Sequence, residues 1–250
     1  VGIYKGMIGF EYVRALARDM HARGHYMMAN STPISWCWLA PLLDVMGTET
    51  DWKHGGKWRP MADEELLYRR ALCRGKPFCF LMNTDFSAFS YEDSERFMKR
   101  ALAYGMFPGY FSADASTGHY FTRPELYNRD RPLFKKYVPL CRLVAEAGWE
   151  PVTGARSDNA AVTLERFGWQ PGLCYLTVFN QSEVRQRAEV TLTALAQPSA
   201  CRDLVRDAAV TWQERRTTVE LDAGDVCVLA FTGPYAGDVL AEDVRVDEVK

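Results

Sequence analysis

LLDVMGTETDWKHGGKW, residues 42–58, joins an apolar run to a loop of carboxylates, tryptophans and glycines. Leu42, Leu43, Val45 and Met46, closed by Gly47, form a short apolar run ended by a turn signal, the pattern of a buried strand. The loop beyond gathers Glu49, Asp51, Lys53, His54 and Lys57 with the flat rings of Trp52 and Trp58. A binding surface needs such a mixture, although long loops also carry ordinary solvated charge. On this reading the strand delivers Glu49 to the mouth of a site.

The segments on either side repeat the same plan. Residues 8–23 space Tyr12, Val13, Leu16, Ala17 and Met20 as one helical face, stopped by Gly24, and HYMMAN at 25–30 reads as a strand ending on Asn30. Downstream, Asp63 is placed to cap a helix carrying Leu66, Leu67, Ala71 and Leu72. A strand at 78–82 then closes on Asn83 and Asp85. Ser90 and Asp93 form a capping-box signature before Phe97, Met98, Ala101 and Leu102. A strand at 106–112 follows, then a long loop holding Asp114, His119 and Tyr120, and then a helix expected to start at Asp130 and Pro132, kinked by Pro139.

Strand, long loop, helix and short glycine turn thus recur about four times. The polar and aromatic residues concentrate in the strand-to-helix loops, where α/β barrels build their sites. A doubly wound sheet is the alternative, but no glycine-rich phosphate-binding turn follows any strand. From about residue 151 the pattern becomes alternating strands at 162–167, 173–180, 188–192, 217–221 and 226–231, separated by turn residues, which predicts an all-β sandwich. The expected organisation is a partial (β/α) barrel of the TIM type over 1–150, only its carboxyl-terminal half, and a β-sandwich over 151–250. Residues 236–250 read as an edge strand or a tail.

Composition narrows the partners. A length of 250 residues supports two modest cores, and a formal net charge of −2 gives no electrostatic reason to expect nucleic acid or an anionic membrane. No apolar run reaches the roughly 18 residues of a membrane span. Seven scattered cysteines, with no C-x-x-C pair, read as reduced core thiols and favour a cytoplasmic setting; a chain opening on Val1 leaves room for a signal upstream. The four histidines and seven cysteines show no ligand spacing, so neither a metal nor another cofactor is expected.

YNRDRPLFKKYVPLCRLVAEAGWEPV at 127–152, followed by the strand YLTVFN at 175–180, resembles the carboxyl-terminal half of large glycoside-hydrolase-like proteins. The resemblance implies a (β/α)8 catalytic barrel followed by a sandwich, with acidic strand-end residues cleaving a glycosidic bond in an oligo- or polysaccharide. About half the strands of a closed barrel are visible, so a family carboxylate on an earlier strand has no counterpart here. The missing half-barrel or self-association would have to complete the fold.

Glycosidic cleavage needs two carboxyl groups, one protonated and one ionised. Glu49 is the first candidate, with Asp51 weaker; Asp85 could be the second, although an Asx turn suits it better, and Asp114 is similar. Asp44 lies too early in its strand for the open face and is expected to bond barrel backbone. Asn30 and Asn83 could hold sugar hydroxyls or simply terminate strands. Trp52, Trp58, Phe86, Phe89, Tyr120 and Phe121 could stack on pyranose faces, with packing accounting for some of them. His119 could donate to a hydroxyl or shuttle a proton. A carbohydrate-binding or scaffold piece without catalysis is the competing reading.

Overall fold

In the computed structural model, residues 2–30, 34–50, 53–54, 57–58, 60–73, 75–112, 120–168 and 172–233 are described. They fall into two compact units, one ending at Gly148 and one starting at Trp149.

The first unit opens with helix α1 (Gly2–Ala22), strand β1 (Met28–Ala29), a 3-10 segment (Ile34–Leu42) and strand β2 (Val45–Thr50). A short antiparallel pair, β3 (Lys53–His54) and β4 (Lys57–Trp58), precedes helix α2 (Asp63–Leu72) and strand β5 (Phe78–Thr84). Helix α3 (Tyr91–Ala103), strand β6 (Phe107–Ser112) and helix α4 (Pro124–Ala147) complete it. Strands β1, β2, β5 and β6 pair in parallel, each beside the next in chain order. A doubly wound sheet reverses its strand order at a switch point. These four strands show no reversal, and they make a partial barrel, half the eight strands of a closed one.

One face of this sheet is buried under helices. In β5 the burial alternates, with Phe78, Phe80, Met82 and Thr84 inside. The Phe80 ring meets Phe97 of α3 at 5.1 Å, and Tyr110 of β6 meets Phe97 at 5.4 Å and Phe134 of α4 at 5.3 Å. Burying each such side chain is worth about 1.5–3 kcal/mol. The helices stop where the chain must turn: after α1 and α3, Gly24 and Gly105 take φ of 74° and 60°, and the next amides, His25 and Met106, reach back to Met20 and Ala101 at 2.9 Å. Glycine permits this left-handed stop, and the returning bonds satisfy the last helical carbonyls.

Several boundaries differ from expectation, each for a local reason. The strand expected at 25–30 shrinks to two residues because the Met27 N–H is taken by the Asp44 carboxylate at 2.7 Å. Gly47 does not end β2. It sits inside the strand, where an added Cβ would lie 3.2 Å from the Cys79 carbonyl oxygen and 3.4 Å from the Met28 methyl, a tight fit in which the neighbours would have to give by a few tenths of an ångström. Asp63 is the first helical residue rather than the cap; Ala62 holds the cap position, and the Asp63 carboxylate accepts from Arg100 at 2.7 Å and Tyr104 at 2.7 Å. The capping box of Ser90 and Asp93 forms as read. Helix α4 begins at Pro124, whose missing N–H costs nothing at a first turn, and continues through Pro132 and Pro139.

The second unit is a sandwich. One sheet orders β13 (Ala208–Ala209), β12 (Ala200–Asp203), β15 (Val226–Gly233), β10 (Gly172–Asn180), β9 (Val162–Phe167) and β7 (Trp149–Glu150). The other orders β14 (Arg216–Leu221), β11 (Gln186–Leu192) and β8 (Ala155–Ser157). All pairings are antiparallel, and Val162, Leu176, Val178, Val190, Leu192, Leu221 and Leu229 fill the core. The five expected strands are present. β7, β8, β12 and β13 are too short for alternation to announce them. Residues 236–250 lie outside the described residues.

Candidate functional site

Parallel pairing fixes which side chains share the sheet's other face. Glu49 pairs with Leu81, which pairs with Gly109, and Gly47 pairs with Cys79, which pairs with Phe107. Side chains alternate along a strand, so Glu49, Cys79, Leu81, Asn83 and Phe107 leave the sheet opposite the helices, on the face a closed barrel turns inward. Glu49 is half-buried there, one residue before the carboxyl end of β2. It therefore belongs to a strand and not, as expected, to the loop beyond. Asn83 stands one side-chain repeat further along β5, and its Oδ1 is buried without a hydrogen-bond partner among the described residues. Asp85 is exposed just past β5, where its carbonyl accepts from the Ala88 N–H at 3.1 Å and heads a 3-10 turn. Asn30 is exposed at a bend after β1.

The opposite, amino-terminal rim of the sheet is closed by polar contacts. Asp44 accepts from the Met27 N–H at 2.7 Å and meets His21 Nε2 at 2.7 Å, the bond to barrel backbone that its position implied. These two partners, the backbone N–H first, hold its carboxyl below the ordinary 3.8. Lys76 donates to the carbonyls of Ala40 and Leu43 at 2.7 and 2.6 Å, ending the 3-10 segment. Buried Arg70 donates to the carbonyls of Gly105 and Lys76 at 2.9 and 2.8 Å. In barrels that rim serves stability, while the carboxyl ends of the strands serve chemistry.

The remaining sequence candidates divide. Asp51, Trp52, Asp114 and His119 lie outside the described residues. The backbone of Trp58 pairs with Lys53 in the short β3–β4 hairpin. Tyr120 was expected in an open loop but is 1% exposed, its ring stacked on Tyr110 at 4.5 Å and its hydroxyl given to Asp130 at 2.9 Å. Phe86 and Phe89 are likewise buried, and among these neighbouring rings Phe121 alone is strongly exposed, at 60%.

Asp130, fully buried in the second turn of α4, is a centre the sequence reading missed. Its carboxylate accepts from Ser94 at 3.0 Å, Tyr120 at 2.9 Å, and Arg129 at 2.6 and 2.9 Å. Burial, followed by this bond to the carboxylate, pushes the Tyr120 phenol far above its ordinary value. The signal lay in the i, i+4, i+7 row Leu126, Asp130 and Leu133, a carboxylate on an apolar stripe.

With the geometry in place, solved structures supply relatives in fold. The chain is similar to alpha-galactosidase I from Mortierella vinacea, with a TM-score of 0.56 and 10% identity over 90% of this chain and 63% of that one. An alpha-amylase from Anoxybacillus gives a TM-score of 0.56 and 10% identity over 88% and 56%. The noncanonic maltogenic alpha-amylase AmyB from Thermotoga neapolitana gives 0.53 and 10% over 89% and 58%. The chain spans less than two thirds of the length of each. At this identity the likeness is one of architecture, a barrel followed by a sandwich. No protein-family model matches the sequence, and no curated protein matches it. Among the described residues no helix is long and apolar enough to cross a membrane.

Proposed function

We propose that the chain belongs to a carbohydrate-active hydrolase that cleaves a glycosidic bond of an oligo- or polysaccharide, with Glu49 as a general acid or base. The observation that carries this reading is the place of Glu49, half-buried near the carboxyl end of a parallel strand and on the face away from the helices. Fold alone does not assign chemistry; the alpha-galactosidase and the two alpha-amylases share the architecture, and the carboxylate on that face of this chain is what suggests the reaction. Asp85 is the proposed second carboxylate. Asn83, with a buried acceptor facing the same side, is the proposed hydroxyl ligand.

Among the described residues the parallel sheet has four strands, and in a second reading the chain binds saccharide without cleaving it. Incubation with a panel of aryl glycosides and oligosaccharides, alongside Glu49→Gln and Asp85→Asn, separates the two. Cleavage lost in both variants with binding kept supports the hydrolase; binding without cleavage in the unaltered protein supports the second reading.

A further inference from the structure

Helix α4 carries a second surface feature, on the helix side of the sheet and so away from the face that bears Glu49. Tyr127, Arg131 and Phe134 follow one another at i, i+4 and i+7, beside the buried stripe of the same helix. Together with Phe121 they line an open depression of about 380 Å³, within the span of small-molecule sites, roughly 300–1,000 Å³. The rings of Phe121 and Phe134 lie 6.1 Å apart with their planes tilted by 55°. A phenyl ring left 60% exposed beside another aromatic is an unsatisfied apolar face.

Charge selects the guest. The neighbouring arginines of this region have carboxylate partners: Arg123 with Glu125 at 2.9 Å, Arg129 with Asp130 at 2.6 Å and Arg142 with Glu146 at 2.6 Å. Arg131 instead donates to Asn128 Oδ1 at 2.5 Å and lies 5.8 Å over the Tyr127 ring, with no carboxylate in reach among the described residues. Asn128 and Tyr127 hold the guanidinium at the edge of the depression, leaving donors for a planar anion. A cation is excluded by the guanidinium itself. The C–H groups of a pyranose chair point in several directions and so can meet both of these tilted rings at once, while a flat aromatic acid, which could pack on either ring, is the comparison the binding test must make.

We propose that this depression binds an acidic sugar, a uronate ring whose carboxylate pairs with Arg131 while its C–H face rests on Phe121 and Phe134. The site is independent of Glu49 and of any cleavage. Trigalacturonate titrated into the full chain tests it, with galactotriose and benzoate as comparison ligands and with Arg131→Gln and Phe121→Ala, both exposed positions whose truncation leaves the core intact. Trigalacturonate is expected to bind at least about tenfold more tightly than galactotriose, and more weakly as salt is raised. Arg131→Gln should remove that advantage and its salt dependence, and Phe121→Ala should weaken both saccharides severalfold. Equal binding of the two trisaccharides, trigalacturonate binding indifferent to Arg131→Gln, or binding of benzoate alone overturns the proposal. Hydrolysis by Glu49 variants tests the other reading separately.

Discussion

Glu49 stands opposite Leu81 in the parallel pairing of β2 with β5, so its carboxylate leaves the sheet on the same face as Asn83, one side-chain repeat further on. Gly47 lies two residues before Glu49, in a tight place. A Cβ there would lie 3.2 Å from the Cys79 carbonyl oxygen of β5, and β2 runs on past it to Thr50 with Glu49 inside the strand. Gly47→Ala should shift β2 against β5 by a few tenths of an ångström and, if Glu49 acts as proposed, change turnover. A crystal structure of the variant with β2 unmoved would contradict this.

Asp130 is expected to hold α3, α4 and the Tyr120 turn together. Asp130→Asn sets an amide donor among the donors of Arg129, Ser94 and Tyr120, and breaking a buried pair this way costs several kcal/mol; with Arg129 about a third exposed, a loss of about 2–4 kcal/mol is expected. Denaturant melts followed by far-UV circular dichroism measure it. A change within ~0.5 kcal/mol would mean the network is decoration.

Asp44 links stability to pH. Its folded pKa lies below 3.8, so its contribution is complete above that value and disappears as pH falls through the folded pKa. Asp44→Asn should lower stability at neutral pH by about 1 kcal/mol, discounted because the carboxylate is partly exposed. The gap between variant and parent should narrow as pH falls below 3.8. A gap that stays constant from pH 7 to pH 3 would show that the charge is not involved.

All seven cysteines are free thiols, and Cys73, Cys141, Cys174, Cys201 and Cys227 are buried. Burial pushes the Cys174 thiol up to about 12 and raises Cys141 and Cys227 well above their ordinary value. A thiolate-specific reagent should therefore titrate these three only after unfolding. Rapid labelling of Cys141 or Cys227 in the native protein would count against the packing described.

Strong periodicity made most of this fold legible. The row Phe97, Met98, Ala101 and Leu102, the Ser90–Asp93 box and the alternating sandwich strands announce themselves because burial repeats at the helical or strand period. What was not legible depends on distant partners. Asp63 reads as a cap, yet Arg100, 37 residues away, recruits it. Tyr120 reads as a loop aromatic, yet Asp130 and Tyr110 bury it. The end of β2 was misplaced because glycine signals a turn locally, while here it serves an approach between strands. For the site itself, the sequence pointed to Glu49, read as just past a strand, and to Asn83 at a strand's end, but only the register places them on one face.

Turnover by Glu49→Gln, measured with saccharide binding in the same preparation, bears most directly on the assignment of Glu49 as acid or base. The substitution keeps the shape of the side chain and removes its proton transfer. A fall of on the order of 10²-fold or more in glycosidic cleavage, with binding largely retained, is expected. Cleavage at unchanged turnover, or a parent protein that binds no saccharide at all, would contradict it.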